Sequence, residues 1–272
     1  MLDYATVAET DGVMGRGVLT GKVALVTGGG RGIGRAIALA FAEEGAAVAL
    51  AARTSAQIEE VAALCRDRGV EAVAIQADVS DRVTCRGVVE RVAHKLGVPT
   101  VLVNNAGIAT AQKFKDTTDA VWDETLNVNL NAPFVLTRAA LPAMLENASG
   151  AVITIASIAG KVGGPYIAAY TAAKHGVVGL MRALAAEYAR SGVTFNSVCP
   201  GYVDTDMTEA SIHHIMATTG RTREAALRAL FTPQGRLVKP EEVAAVCVLL
   251  ASPEGRGING QAINVDGGAV QS

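Results

Sequence analysis

Tyr170 and Lys174 are the residues of this chain whose types and spacing most directly suggest chemistry. They stand four positions apart in Tyr170-Thr-Ala-Ala-Lys174. On a helix this spacing places both side chains on one face, one turn apart. A free phenol titrates at about pH 10, too high for ready proton exchange in neutral solution. Because a nearby ammonium favours the phenolate and lowers the phenol's pKa, the pair is predicted to act as a general acid and base.

Ser157 gives this pair a structural context, since Tyr-x-x-x-Lys by itself is a common match. It directly follows the apolar run Ala151-Val-Ile-Thr-Ile-Ala156, which has the composition of a buried strand. In open sheets of parallel strands, ligands bind beyond the carboxyl ends of the strands. We therefore expect the Ser157 hydroxyl to lie in a ligand-binding cleft.

A glycine-rich segment near the amino terminus predicts a dinucleotide site. Thr27-Gly-Gly-Gly-Arg-Gly-Ile-Gly34 joins the apolar strand 23–27 to a helical stretch that begins at Gly32. Gly28 permits a tight turn, while Gly32 and Gly34 allow a pyrophosphate to approach the backbone and the helix to pack on the strand. The free N–H groups of the helix N-terminus would bind the phosphates.

The second strand indicates which dinucleotide is bound. NAD sites place a carboxylate at the end of this strand to hold the ribose 2′-hydroxyl. Here Val48-Ala-Leu-Ala-Ala-Arg53 contains no carboxylate and ends in a cation. Arg53 and Arg31 supply two guanidinium groups, which suit a 2′-phosphate. This pattern favours NADP(H) over NAD(H); the alternative is that both arginines are ordinary surface cations.

Short apolar runs alternate with longer, alanine-rich helical stretches along most of the chain. Seven runs are predicted to be strands covered on both faces: 23–27, 48–51, 72–75, 101–103, 151–155, 193–198 and 262–265. The main helical stretches are 32–44, 55–68, 81–96, 118–146, 168–190 and 240–250. The alternation predicts one α/β domain, residues 20–272, built on a Rossmann-like, doubly wound sheet of seven parallel strands.

Residues 206–234 break this alternation, because they contain no strand. Two short helices are predicted there, 208–218 and 222–231, with apolar residues such as Met207, Ile212 and Leu230 in their lining. Their position after Pro200-Gly201 indicates a lid over the cleft, and the alternative is a purely structural insertion. Residues 1–19 are predicted to form an N-terminal extension of unknown role, without a secretory signal.

Composition argues against several classes of function. The 272 residues carry a net charge of -2 in no long block of one sign, so neither nucleic acid nor an anionic membrane surface is an expected partner. No apolar run is long enough to cross a membrane. The four cysteines and four histidines show no ligand or redox spacing, so we expect reduced thiols, no metal site and a cytoplasmic location.

Together these motifs resemble those of the short-chain dehydrogenase/reductase family, in its single-domain type. The resemblance extends from about Thr20 to Gly268 and shows no departure at a catalytic position. The matching motifs are Thr27 to Gly34, Asp78-Val79, Asn104-Asn-Ala-Gly107, Asn129, Ser157, Tyr170 with Lys174, Pro200-Gly201 and Val265-Asp-Gly-Gly268.

The resemblance implies a catalytic set of four residues. In the reductive direction, Tyr170 protonates the substrate's carbonyl oxygen, and Ser157 donates a hydrogen bond to that oxygen as negative charge develops. Lys174 holds the nicotinamide ribose hydroxyls and lowers the pKa of Tyr170. Asn129 positions a water that links Lys174 to solvent protons.

The resemblance also implies a set of cofactor contacts. Asp78 and Val79 would contact the adenine, residues 105–107 would line the cleft, and residues 200–205 would wrap the nicotinamide. Asn104 is expected to bridge backbone groups and to have a structural role. The complete implied set is Gly28, Gly30, Arg31, Gly32, Ile33, Gly34, Arg53, Asp78, Val79, Asn105, Ala106, Gly107, Tyr170, Lys174, Pro200, Gly201, Val203 and Thr205.

The expected protein is thus an NADP(H)-dependent ketoreductase. Its resemblance to 3-oxoacyl-thioester reductases, and in the lid to hydroxybutyrate-type dehydrogenases, implies a 3-oxoacyl thioester or a medium-sized ketone as substrate, with a polyol less favoured. One alternative is a non-catalytic NADP-binding sensor or scaffold on the same fold. Another is dehydration or epimerisation, although such relatives usually have a larger C-terminal substrate domain. The resemblance also implies a homotetramer joined through the helices 118–146 and 168–190.

Overall fold

The computed structural model describes residues 17–271, so Ser272 and most of the predicted N-terminal extension, residues 1–16, lie outside the described residues. Leu19 is fully buried, and its N–H donates to the carbonyl oxygen of Glu44 at 2.9 Å. The packed core therefore includes Leu19, one position before the predicted domain boundary at residue 20.

Seven strands form one parallel sheet, which confirms the predicted fold class. Their bounds are β1 Val23–Thr27, β2 Ala47–Ala52, β3 Ala72–Gln76, β4 Val101–Asn104, β5 Gly150–Ile155, β6 Val193–Pro200 and β7 Ala262–Val265. The order across the sheet is β3-β2-β1-β4-β5-β6-β7. The direction of winding reverses between β1 and β4, and in open α/β sheets the ligand crevice lies at such a point.

Helices cover both faces of this sheet, because parallel strands must be joined by crossovers. Within residues 17–271 they are α1 Gly32–Glu43, α2 Ser55–Arg66, α3 Arg82–Leu96, α4 Asp119–Leu126, α5 Ala132–Glu146, α6 Ala168–Glu187, α7 Asp206–Thr219, α8 Arg223–Arg228 and α9 Pro240–Ala251. Most of their bounds differ from the predicted ones by one to three residues, the usual uncertainty at helix ends.

The predicted helical stretch over 118–146 is confirmed, but the structure shows a change of helix type within it that the prediction did not include. The segment forms α4 and α5, separated by a π-helical turn at Asn127–Asn131 in which the Ala132 N–H donates to the carbonyl oxygen of Asn127. Such a turn inserts one extra residue and shifts the side chains that follow it around the helix axis. The apolar periodicity on either side is that of an ordinary helix, so the sequence pattern gave no sign of the interruption.

The two faces of the sheet carry separate cores. Leu25 and Val26, successive residues of β1, are both fully buried, and they belong to different clusters because neighbouring side chains of a strand point to opposite faces. The first cluster packs α1, α2 and α9 on the sheet, and the second packs α3, α5 and α6. This arrangement fixes α6 on one face and the start of α1 at the edge where the strands end.

No helix within residues 17–271 is both long and apolar enough to span a bilayer. The same residues hold no group of three or more His, Cys, Asp or Glu side chains that could bind a metal ion.

Replacing Phe195 by Ala tests the core that supports β6. Phe195 is fully buried in the second cluster, so we expect the free energy of unfolding to fall by about 3–5 kcal/mol, from lost apolar burial and a residual cavity. Phe114→Ala is the matched control, since that side chain is 74% exposed and its loss should change the free energy by about 0.5 kcal/mol or less. Denaturant titration measures both values, and similar losses would contradict the packing described.

Candidate active site

Three side chains predicted to act together meet beyond the carboxyl end of β5. Ser157 follows this strand in an extended conformation, and its hydroxyl is hydrogen-bonded to that of Tyr170. Tyr170 and Lys174 both lie on α6, and the Lys174 Nζ is 5.4 Å from the centre of the Tyr170 ring. The same Nζ donates a hydrogen bond to the carbonyl oxygen of Ile155, the last residue of β5, at 2.8 Å.

Burial shifts the acidities of both groups on α6. Lys174 is only 4% exposed, and desolvation of its ammonium lowers its pKa to about 8. Desolvation likewise raises the pKa of Tyr170 to about 12, and the hydrogen bond with Ser157 offsets only part of that rise. The expectation that Lys174 lowers the pKa of Tyr170 is therefore wrong for the protein alone. The cost of burying a phenolate dominates, and the ammonium is bound to the carbonyl of Ile155.

Asn129 is placed in the site by the π-helical turn. Its side chain is buried, and its Nδ2 donates to the carbonyl oxygens of Ile108 and Thr125, both at 2.9 Å. Its Oδ1 accepts no hydrogen bond from the part of the chain that the structure describes. A Cβ added at Gly107 would lie 2.9 Å from this Oδ1 and 3.8 Å from the Lys174 Nζ. The unpaired acceptor and the ammonium therefore border the same space beside Gly107.

The glycine-rich turn leads from β1 into α1, and no side chain caps the first backbone N–H groups of that helix. Gly28 takes a left-handed conformation (φ +65°), and a Cβ at Gly34 would lie 2.2 Å from the Gly28 carbonyl oxygen, so neither position accepts a larger residue without strain. Gly30 packs closely on Gln57. No side chain caps the N-terminus of α1, which Gly32 and Ile33 begin. The N–H groups of that first turn can therefore bind phosphate.

Thr27 and Asn105 tie this turn to the segment after β4. The Thr27 Oγ1 accepts hydrogen bonds from the backbone N–H groups of Asn105 (3.0 Å) and Ala106 (3.1 Å). The Asn105 Nδ2 donates to the carbonyl oxygens of Thr27 (2.8 Å) and Gly28 (3.2 Å). Sequence reasoning included Asn105 but missed Thr27 as a site residue, although its place directly before the glycines was a usable signal.

The prediction that Asn104 bridges backbone groups is wrong. Its Nδ2 donates to the hydroxyls of Thr137 and Thr154, both at 3.3 Å. Asn104 is the last residue of β4 and is buried, so its amide reaches side chains of the neighbouring elements. Asn105, one position later, has left the strand and makes the backbone contacts instead.

Arg31 and Arg53 are both exposed beside the glycine-rich turn, but they are not equivalent. The Arg31 Nη1 lies 3.1 Å from an oxygen of Asp206, the first residue of α7. Arg53 forms no ion pair with any residue between 17 and 271, and its backbone carbonyl accepts a hydrogen bond from Gln76. No local sequence pattern predicts the contact between Arg31 and Asp206, since 175 positions separate them.

Asp78 and Val79 lie beyond the carboxyl end of β3, on the β2 side of the crevice. Asp78 is exposed, and its Oδ1 accepts a hydrogen bond from the Ser80 N–H at 2.9 Å. Val79 is buried. This is the edge of the sheet on which β1 and β2 also end, because the three strands are parallel.

The segment after β6 lies across the glycine-rich turn. Pro200 ends the strand, and the Gly201 N–H donates to the carbonyl oxygen of Val265 at 3.1 Å. Val203 is buried and forms a bridge with Val238. The Thr205 methyl group would lie 3.1 Å from a Cβ at Gly32. Residues 200–205 and the glycine-rich turn therefore approach each other.

Residues 206–234, the segment predicted to form a lid, contain α7 and α8, so the two predicted helices are present. Ile212 and Leu230, expected in its lining, are instead buried with Ala226 in a small core between the lid helices. Met207 is 45% exposed. The lid thus buries most of its apolar residues within itself and leaves few of them for a ligand.

Comparison with known proteins assigns the chain to a family. A sequence model described as short chain dehydrogenase matches residues 22–215. A 3-oxoacyl-[acyl-carrier-protein] reductase from Staphylococcus aureus is 38% identical over 248 residues, which cover 91% of this chain and 97% of the relative.

Solved structures agree over nearly the whole chain. A variant of actinorhodin polyketide ketoreductase with NADPH is 37% identical, with a TM-score of 0.88 and coverage of 91% of this chain and 97% of that one. A protein from Beutenbergia cavernae assigned as an NAD(P)-dependent gluconate 5-dehydrogenase, with bound NADP, is 42% identical, with a TM-score of 0.85 and coverage of 93% and 98%. The chain belongs to the short-chain dehydrogenase family.

Proposed function

We propose that the protein transfers hydride reversibly between NADP(H) and a carbonyl or secondary alcohol carbon, with a 3-oxoacyl thioester or a medium-sized ketone as substrate. The observation that carries the proposal is the meeting of Ser157, Tyr170 and Lys174 beside the glycine-rich turn. A non-catalytic NADP-binding sensor or scaffold has less support, because dinucleotide binding alone does not require a phenol hydrogen-bonded to a serine at the crevice.

Each catalytic side chain has a distinct part in the reductive direction. The nicotinamide supplies the hydride when NADPH is bound. Tyr170 gives its hydroxyl proton to the carbonyl oxygen, and its raised pKa keeps that proton in place at neutral pH. Ser157 donates a hydrogen bond where negative charge develops on the same oxygen. Lys174 would hold the ribose hydroxyls of a bound cofactor, and the unpaired Oδ1 of Asn129 would accept a hydrogen bond from a water that returns protons to Lys174.

The cofactor is NADP(H) in this proposal. Arg53 follows β2 with no ion-pair partner among residues 17–271, so its guanidinium can bind a 2′-phosphate without giving up another contact. Arg31 can contribute as well, although it also contacts Asp206. Two structural relatives contain NADPH or NADP, which supports the same choice.

The rim of the cleft favours a fairly apolar substrate. Phe114 follows β4, Val162 and Tyr166 follow β5, and Met207 follows β6; these side chains are 74%, 42%, 59% and 45% exposed. The Gln112 N–H donates to the Tyr166 carbonyl oxygen at 2.8 Å, which joins the first two loops. Exposed apolar groups around a crevice are typical of binding sites for apolar ligands. A polyol such as gluconate fits this rim less well than an acyl chain.

We place this activity in a cytoplasmic homotetramer joined through α5 and α6. Phe134 of α5 is 37% exposed, with the Arg138 guanidinium 4.9 Å from its ring centre, so its outer face is free to pack on another copy. Ala172, Gly179 and Ala183 lie exposed along α6. Small residues on a helix surface allow close approach of a second helix.

Replacing Tyr170 by Phe tests the proton donor. We expect kcat for ketone reduction to fall by at least about 100-fold, because the variant has no hydroxyl proton to give. NADPH binding, followed by fluorescence, should be retained. Tyr188→Phe, at the end of the same helix, is the matched control and should reduce the substrate like the parent protein. Full activity of Tyr170→Phe would overturn the proposed function.

Replacing Arg53 by Ala tests the choice of cofactor. Loss of a charge-assisted bond to the 2′-phosphate should lower kcat/KM for NADPH by about 10- to 100-fold and leave kcat/KM for NADH unchanged. Arg31→Ala should have a smaller effect, since Arg31 is shared with Asp206. Arg190→Ala, an exposed cation beyond α6, serves as the control. A parent protein that prefers NADH would show that both arginines were misinterpreted.

The pH dependence of reduction follows from Lys174. Its pKa is lowered to about 8, so the ammonium is present below that pH and is lost as pH rises through it. We therefore expect the reductive rate to fall above about pH 8, because neutral Lys174 no longer delivers protons to the relay. The rate should be measured with saturating NADPH and a deuterium isotope effect on the transferred hydride, which reports whether chemistry is limiting. A flat profile with a full isotope effect would contradict this role.

A further inference from the structure

Tyr202 lies between the end of β6 and the start of α7, and main-chain pairing holds it on both sides. The Gly201 N–H donates to the carbonyl oxygen of Val265 at 3.1 Å, and the Val238 N–H donates to the carbonyl oxygen of Tyr202 at 2.9 Å. The next residue, Val203, forms a bridge with Val238. Backbone hydrogen bonds on both sides therefore hold the main chain of Tyr202 just beyond the carboxyl end of β6.

The Tyr202 side chain lies near the catalytic tyrosine, whereas that of the next residue packs in the first cluster. This next residue, Val203, is 4% exposed. On the opposite face, Cys199 of β6 packs with Val177 and Val178 of α6. Both Tyr202 and Cys199 lie close enough to Tyr170 for their charges to act on it. Tyr202 is thus a second phenol at the catalytic end of α6.

The hydroxyl of Tyr202 is a free donor. No group in the part of the chain that the structure describes forms a hydrogen bond with it, whereas the hydroxyl of Tyr170 is paired with Ser157. Burial raises the pKa of Tyr202, so the phenol keeps its proton at neutral pH. The residue is 43% exposed, so a ligand in the cleft can reach it.

We propose that Tyr202 determines substrate specificity by donating a hydrogen bond to a second oxygen of the substrate. Ser157 and Tyr170 hold the reacting carbonyl oxygen, and a 3-oxoacyl thioester carries its second carbonyl one methylene away. The pair of phenols therefore selects 1,3-dicarbonyl compounds over simple ketones. This inference rests on the proposed function, since it takes the reacting carbonyl to lie at Tyr170.

Discrimination by such a donor has a physical basis. A polar group built to bond a substrate oxygen is left unpaired when the substrate lacks that oxygen, and the analogue then binds less well. Without the Tyr202 hydroxyl the preference for a substrate with a second oxygen should be lost, because a phenyl ring cannot donate a hydrogen bond to that oxygen. One neutral hydrogen bond corresponds to a change of about 5- to 10-fold in relative kcat/KM.

Tyr202→Phe, assayed on two substrates with NADPH, tests the inference. The first substrate is the N-acetylcysteamine thioester of 3-oxobutyrate, and the second is a simple methyl ketone, 2-heptanone. We expect the kcat/KM for the thioester divided by the kcat/KM for the ketone to fall by about 5- to 10-fold relative to the parent protein. The change should come mainly from a higher KM for the thioester. Tyr188→Phe, which removes a phenol far from the crevice, should leave the ratio unchanged.

The possible failures are distinguishable. An unchanged ratio in Tyr202→Phe, with NADPH binding and the circular dichroism spectrum intact, would overturn the role of Tyr202 and leave the proposed function standing. Equal losses on both substrates would also overturn it, because they would show a structural effect on the cleft. A parent protein that reduces neither substrate, nor any other ketone, would overturn the proposed function and this inference together.

Discussion

The buried ammonium of Lys174 is the group on which the rest of the site depends. A charge in an apolar interior is costly unless polar atoms surround it, and here the carbonyl oxygen of Ile155 accepts its hydrogen bond at 2.8 Å. That carbonyl belongs to the last residue of β5, at the edge of the sheet where the site lies. Asn129, turned inward by the π-helical turn, adds an unpaired amide oxygen beside the same space. Gly107 keeps that space open.

The same burial gives Tyr170 its chemical character. Desolvation raises the phenol's pKa to about 12 and makes Tyr170 a proton donor in the protein alone. The hydrogen bond with Ser157 lowers the pKa of Tyr170 and so offsets part of the rise that desolvation causes.

The lid is held by packing more than by charge. Its contact with the glycine-rich turn, Arg31 to Asp206, joins side chains that are 65% and 74% exposed, so water screens it and its contribution to stability is small. The lid's own core of Ile212, Ala226 and Leu230 is buried, and Val203 anchors the segment that enters α7.

The sequence by itself determined the parallel sheet and the order of its elements, and it predicted which side chains are catalytic. Local patterns sufficed, because apolar strands, glycines before a helix and the spacing of Tyr170 and Lys174 each act within a few residues. Only the tertiary structure decided that Asn105 rather than Asn104 bridges backbone, that Arg31 meets Asp206, and that burial raises the pKa of Tyr170. These features depend on contacts between distant segments and on exclusion of water, and short-range sequence patterns predict neither of them.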